Sequence, residues 1–137
     1  MTQNGLRVVA VAAWFVACGS STELAPKGTH PPHVQEFVLV DFPPPPAQVE
    51  EIPESLESAP DCVWVDGYYA WEDRRFAWHP GQWVMPAEGC YYAPAVTAWS
   101  RAGEPRLYYT PPRWYREDAL GKSGAAALCP VPRTCVR

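Results

Sequence analysis

The feature that most restricts the fold is a hexapeptide that returns. Trp64-Val65-Asp66-Gly67-Tyr68-Tyr69 reappears fourteen residues later as Trp78-His79-Pro80-Gly81-Gln82-Trp83. After another fourteen comes a degenerate copy, Tyr92-Ala93-Pro94-Ala95-Val96-Thr97, and after seventeen more Tyr109-Thr110-Pro111-Pro112-Arg113-Trp114. Each copy opens on a large ring and carries Asp or Pro two residues on; in three copies a ring stands five residues after the first. Self-similarity of this kind marks one structural unit used repeatedly. Between the copies lie Glu72-Asp73-Arg74, Pro86-Ala87-Glu88-Gly89 and Arg101-Ala102-Gly103-Glu104-Pro105. Aromatic and β-branched runs separated by such turn signals predict antiparallel strands. Seventeen prolines in the chain argue against long helices, because an interior proline costs about 3 kcal/mol. The expectation is an all-β fold, a small antiparallel β-meander over residues 61–116.

In strict alternation, rings five apart face opposite sides of a strand. One bulged residue at the Asp-Gly or Pro-Gly step would bring them to the same side. Trp64, Tyr69, Trp71, Trp78, Trp83, Tyr92, Trp99, Tyr109 and Trp114 would then share one aromatic surface. Seven tryptophans and seven tyrosines against four phenylalanines give so small a domain much ring area to bury. Most rings are expected in the core, with Trp71, Trp83 and Trp99 as candidates to face a ligand.

Trp64, Gly67, Trp78, Gly81 and Trp83 carry a resemblance to the WxxGxW repeat, also written YxWxxG, with Tyr69 in place of a tryptophan. The resemblance covers roughly Asp61 to Trp99 and extends weakly to Tyr115. It implies a small bacterial envelope protein and no settled biochemical function.

The start of the chain concerns address. Val8 to Ala17 is an apolar run of ten residues preceded by Arg7. A membrane-spanning helix needs about 20 such residues, and a signal-peptide core about 7–15. Phe15-Val16-Ala17-Cys18-Gly19-Ser20 resembles a lipobox, with Phe15 where leucine is usual. That resemblance implies a signal peptide over 1–17 and a lipid-bearing Cys18 that holds the chain to a membrane. Ser20 after Gly19 is not the aspartate that marks inner-membrane retention in enteric bacteria, so an outer-membrane lipoprotein is expected.

Residues 18–60 read as a disordered proline-rich linker, a stalk. Pro43 to Pro46 favours the extended polyproline conformation. Seven acids stand against the single base Lys27 between Gly19 and Pro60, whereas from Asp61 onward nine bases meet eight acids. The net charge of −4 therefore belongs to the linker. No basic cluster offers phosphate contacts, which excludes a nucleic-acid partner. Only Phe37 to Phe42 has strand character, either loose or added to an edge of the later sheet.

Five cysteines leave Cys62, Cys90, Cys129 and Cys135 once Cys18 is assigned to lipid. Four thiols in an oxidising compartment suggest two disulfides. In a flat meander Cys62 and Cys90 lie on strands two spacings of about 4.8 Å apart, beyond the roughly 7 Å a disulfide spans. The alternatives are a local Cys129–Cys135 loop, or a strap that ties the tail 117–137 to the sheet through both cysteines. The strap is the preferred reading.

His30 and His33 are three residues apart but sit among prolines, where no helix forms, and nothing nearby completes a metal site. His79 and Glu72-Asp73 read as turn residues. No nucleophile and base pattern and no phosphate cradle appears. The chain is therefore expected to be no enzyme and to need no cofactor or metal. Its expected role is structural or in contacts with an envelope protein; the alternative is binding of carbohydrate or peptidoglycan.

Overall fold

A computed structural model describes residues 23–32, 36–54, 59, 61–118, 122 and 124–136. The expected signal segment, Cys18 and His33 lie outside the described residues. The fold is all-β and antiparallel in its named strands, as the repeat implies. The described strands are β1 (Val38–Val40), β2 (Val63–Val65), β3 (Tyr68–Glu72), β4 (Arg75–His79), β5 (Gln82–Met85), β6 (Cys90–Ala93), β7 (Val96–Ser100), β8 (Arg106–Thr110), β9 (Arg113–Arg116) and β10 (Arg133–Thr134). One 3-10 turn, Gly124–Ala127, precedes the tail strand.

The strands group into two long hairpins, each interrupted once. In the first, β2 pairs with β5 and β3 with β4; Val65 faces Gln82 before the interruption and Tyr68 faces His79 after it. Asp66-Gly67 on one arm thus stands opposite Pro80-Gly81 on the other, and the register continues unchanged. The second hairpin repeats the plan. Ala93 faces Arg113 in the β6–β9 pair, Val96 faces Thr110 in the β7–β8 pair, and Pro94-Ala95 stands opposite Pro111-Pro112. All four copies of the hexapeptide place their third and fourth residues at a break.

This corrects the bulge reading. A bulge sets an extra residue on one strand against its partner, whereas here both arms carry two residues between their pairs. The reason lies across the hairpin: each copy is opposed by another copy, so both arms leave the ladder together. The single aromatic surface is absent too. Trp64 and Trp83 pack with Cys62, Tyr92 and Trp114 pack with Val63, Val65 and Val84, and Trp71 packs with Leu107 and Tyr109.

Two segments from outside the repeat join the hairpins. Glu23 to Gly28 runs parallel to β2 and then to β6. Trp64 N donates to Glu23 O at 2.9 Å, Ala25 N to Trp64 O at 3.0 Å, Tyr92 N to Pro26 O at 2.7 Å and Gly28 N to Tyr92 O at 2.9 Å. On the far side, Leu128 bridges Tyr115, Cys129 N donates to Trp114 O at 2.9 Å, and β10 pairs with β5. Following the hydrogen bonds from β10 through β5, β2, the 23–28 segment, β6 and β9 leads back to the tail. Ala25, Val63, Val65, Val84 and Tyr92 form the core cluster of this ring, with Trp114 against it.

Much of the described part of 18–60 therefore packs on the domain, while Glu51 to Glu54 is exposed and forms no strand, as a linker would. β1 adds to β8 and buries Val40 against Leu107 and Tyr109. The acids find partners: Glu36 pairs with Arg113 at 2.8 Å and Asp41 with Arg74 at 3.1 Å. Composition reads such a segment as linker because Pro26 and Pro31 to Pro32 break any alternation, while its pairing depends on strands far along the chain.

The tail strap is present. Disulfides join Cys62 to Cys135 and Cys90 to Cys129, with Cα–Cα separations of 6.5 and 6.3 Å. Each fastens the tail to the outer pair of one hairpin.

Candidate functional site

The breaks explain the spacing of the motif. Where the ladder stops, the amides of Gly67 and Gly81 both turn to one acceptor, Glu50 Oε2, at 3.2 and 2.9 Å. Trp78 Nε1 donates to the other oxygen of the same carboxylate at 3.2 Å. The first ring of each copy covers the glycine of the other. A Cβ on Gly67 would overlap the Trp78 ring and stand 2.6 Å from Glu50 Oε2; one on Gly81 would overlap Trp64. Glycine is required here by close approach, since only a bare backbone admits an indole and a carboxylate together. The first and last rings of opposed copies also pair, Trp64 with Trp83 at 5.6 Å and Tyr69 with Trp78 at 4.9 Å between centroids. Tyr92 and Trp114 pair in the same way at 5.3 Å in the second hairpin.

Between the two breaks lies a cleft of about 420 Å³. Tyr68, Tyr69 and Trp78 line it from the first hairpin, Tyr92 and Tyr109 from the second. Pro44 and Pro45 form one wall, and Gln48 Nε2 reaches Tyr69 Oη at 3.5 Å. At another wall Lys27 Nζ meets Asp66 Oδ2 at 2.7 Å, and the other Asp66 oxygen accepts from Trp64 Nε1 at 3.1 Å. Tyr109 Oη donates to Tyr69 O at 3.0 Å. The Tyr68 and Tyr92 hydroxyls make no hydrogen bond to the described residues.

The phenols of this cleft are held neutral. Burial, reinforced by Tyr68, Tyr109 and Asp66, pushes Tyr92 far above the usual tyrosine range. Tyr109 is pushed up to about 12, by burial first and then by Tyr68 and Glu72, against the opposing effect of Arg113. Tyr68 is raised by burial and by Glu72, again opposed by Arg113. At physiological pH all three are O–H donors.

The other residues singled out by the sequence have different fates. Trp83 is 7% exposed, packed against Trp64 and Cys135, and its buried Nε1 has no hydrogen-bond partner among the described residues. Trp71 packs on Phe76 and Phe42, with centroids at 4.8 and 5.3 Å. Neither presents a ring face as expected, because the tail strap covers one and β1 with its following residues covers the other. Trp99 is 59% exposed. It lines a shallow hollow of about 430 Å³ with Phe37 and Tyr108.

His30 is 8% exposed, with Nε2 at 2.7 Å from Pro94 O and Nδ1 at 3.0 Å from Tyr115 Oη. Among the described residues no three metal-ligating side chains gather at one point. Sequence reasoning missed Glu50, Tyr68 and Lys27. The one available signal was the pair of glycine amides, which needed an acceptor from elsewhere in the chain.

No curated protein and no solved structure matches the chain. The first hairpin, over residues 63–84, is similar to the WXXGXW repeat family, in two copies.

Proposed function

We propose that this chain is a non-catalytic lipoprotein of the bacterial envelope, anchored through lipid on Cys18 in the outer membrane, whose repeat domain makes contacts with another envelope protein. One observation carries the contact role. On the β1-β8-β7 sheet, Phe37 is 58% and Trp99 59% exposed, beside Tyr108 in the same hollow. Contiguous large apolar side chains at a surface are a common mark of protein contacts. The remaining rings are largely used in cross-strand pairs, so the sheet presents its apolar face from a rigid base.

Crosslinking in intact cells tests the role. Anchored wild-type protein is expected to yield a heteromeric adduct that Phe37→Ser with Trp99→Ser abolishes. Recovery of monomer alone from the wild type would remove it. A mass spectrum of the mature N-terminus tests the anchor, and an unmodified chain beginning anywhere but Cys18 would overturn it.

A second reading, binding of an envelope glycan, is favoured by the tyrosine cleft. Neutral donors, ring faces and a nearby ion pair suit a hydroxylated ligand better than a charged one.

A further inference from the structure

We infer that the cleft between the two hairpin breaks takes a neutral saccharide, with Tyr92 and Tyr68 donating to it from the floor and Lys27 and Asp66 binding its hydroxyls at the wall. The proposal rests on the glycan reading above and assigns it a place. Tyr92 is 5% exposed, lines the cavity, and its hydroxyl makes no hydrogen bond to the described residues. Among the described residues only Trp83 Nε1 is both sealed and unpartnered, so the Tyr92 hydroxyl opens into the cavity, where a ligand can supply its acceptor in place of solvent. The cavity of about 420 Å³ falls in the size range of small-molecule sites.

Tyr68 and Tyr92 also line a second cavity of about 380 Å³, bounded by Trp114, Pro112 and the tail at Val131. These two rings thus stand between the two spaces. Sugars present C–H faces to aromatic rings and hydroxyls that both donate and accept. Tyr69 and Trp78 supply the rings; the Asp66 carboxylate supplies acceptors and Lys27 a donor.

A proline-rich peptide is the other ligand that an aromatic groove attracts. The wall it would use is already occupied by the chain itself, through Pro44, Pro45, Gln48 on Tyr69 and Glu50 on Trp78. What remains open is the polar half of the cleft. That difference favours the sugar.

The test uses the full mature chain. It is presented to insoluble peptidoglycan and to neutral oligosaccharides of glucose, mannose, galactose and N-acetylglucosamine, with a decaproline peptide alongside. The expected result is retention on one saccharide, weakened about fivefold by Tyr92→Phe, the change expected for one neutral hydrogen bond. Lys27→Ala with Asp66→Ala is expected to weaken it more. Thermal melts of each variant check that folding is intact, and Tyr92→Phe preserves the ring. Retention on no saccharide overturns both the site and the glycan reading. Saccharide retention unchanged in both variants overturns the site alone. Binding of decaproline but no sugar overturns the inference in favour of a peptide groove.

Discussion

The two hairpins share a backbone plan and solve its central difficulty with opposite chemistry. At the first break the exposed backbone groups include N–H donors, those of Gly67 and Gly81, and Glu50 accepts both. The second break contains Pro94, Pro111 and Pro112, which have no N–H to offer. A carboxylate would find little to accept there; a donor is needed, and His30 Nε2 faces Pro94 O at 2.7 Å. Because that oxygen can only accept, Nε2 carries the proton. The first rings differ in step: tryptophans over glycines in one hairpin, tyrosines with Ala95 and Pro112 at the equivalent positions in the other. A break in register is thus the common element, and the Trp–Gly pairing is one way of packing it.

The disulfides offer the largest way to sharpen the comparison. Cys62–Cys135 and Cys90–Cys129 span 73 and 39 residues. Chain entropy assigns each a loss of about 4 kcal/mol on replacement by serines, the longer loop ahead by roughly half a kcal/mol. Urea unfolding of the two double variants measures this. A reversed order would mean that native packing around each bridge, and not loop length, sets the cost.

Glycine substitution comes next. Gly81→Ala forces Trp64 or Glu50 out of place and is expected to cost about 3 kcal/mol, at the upper end of overpacking effects. Ala95→Gly, at the matching point of the second hairpin, should cost about 1 kcal/mol. Equal losses in urea titrations would break the claim that the glycine serves the indole.

Alkaline pH should expose a liability of the first-ring tyrosines that tryptophan cannot share. Folding raises Tyr109 from 10.0 to about 12. The neutral phenol is the form favoured by the fold, so this stability is complete below pH 10 and drains as pH rises through about 12. The amount is about 2–3 kcal/mol. Unfolding midpoints between pH 9 and 12 should fall steeply for the wild type and less steeply for Tyr109→Phe. Parallel slopes would refute the assignment.

Glu50→Gln should cost about 2 kcal/mol, because an amide cannot accept from three donors as a carboxylate does. Hydrogen exchange at Gly67 and Gly81 should accelerate while Ala95 is unmoved. The smallest effect concerns the hairpin turns. Asp73 and Arg74 have φ of 48° and 62°, a two-residue turn normally given to Asn-Gly, whereas the second hairpin turns with Gly103 at 76°. Arg74→Gly should raise stability by about 0.5 kcal/mol, by relieving a left-handed non-glycine residue at the loss of an exposed pair with Asp41. A loss in its place would show that the pair outweighs the strain.

How much of this was legible follows from range. The strands of both hairpins announce themselves locally, as rings and β-branched residues between Gly, Pro and Asp. The strap was legible because a flat sheet keeps Cys62 from Cys90. The break was misread because one strand's alternation was counted without its partner, although four copies in two hairpins must oppose one another. Glu50 was invisible for a different reason. It lies 17 and 31 residues from the glycines it serves, in a stretch whose acids look like solvated charge. Tyr68 and Lys27 gained importance only when the two hairpins met.

The parallel seating of Glu23 to Gly28 changes the reach of the molecule. A free stalk from Cys18 to Pro60, extended at about 3.1 Å per residue, would hold the domain more than 100 Å from its anchor. With Glu23 already bonded to β2, five residue steps separate it from Cys18. Fully extended they span at most about 18 Å. If Cys18 carries the proposed lipid, the leash is short: the Trp64 end of the first hairpin would ride close above the head groups, and a partner or glycan would be met at the membrane surface.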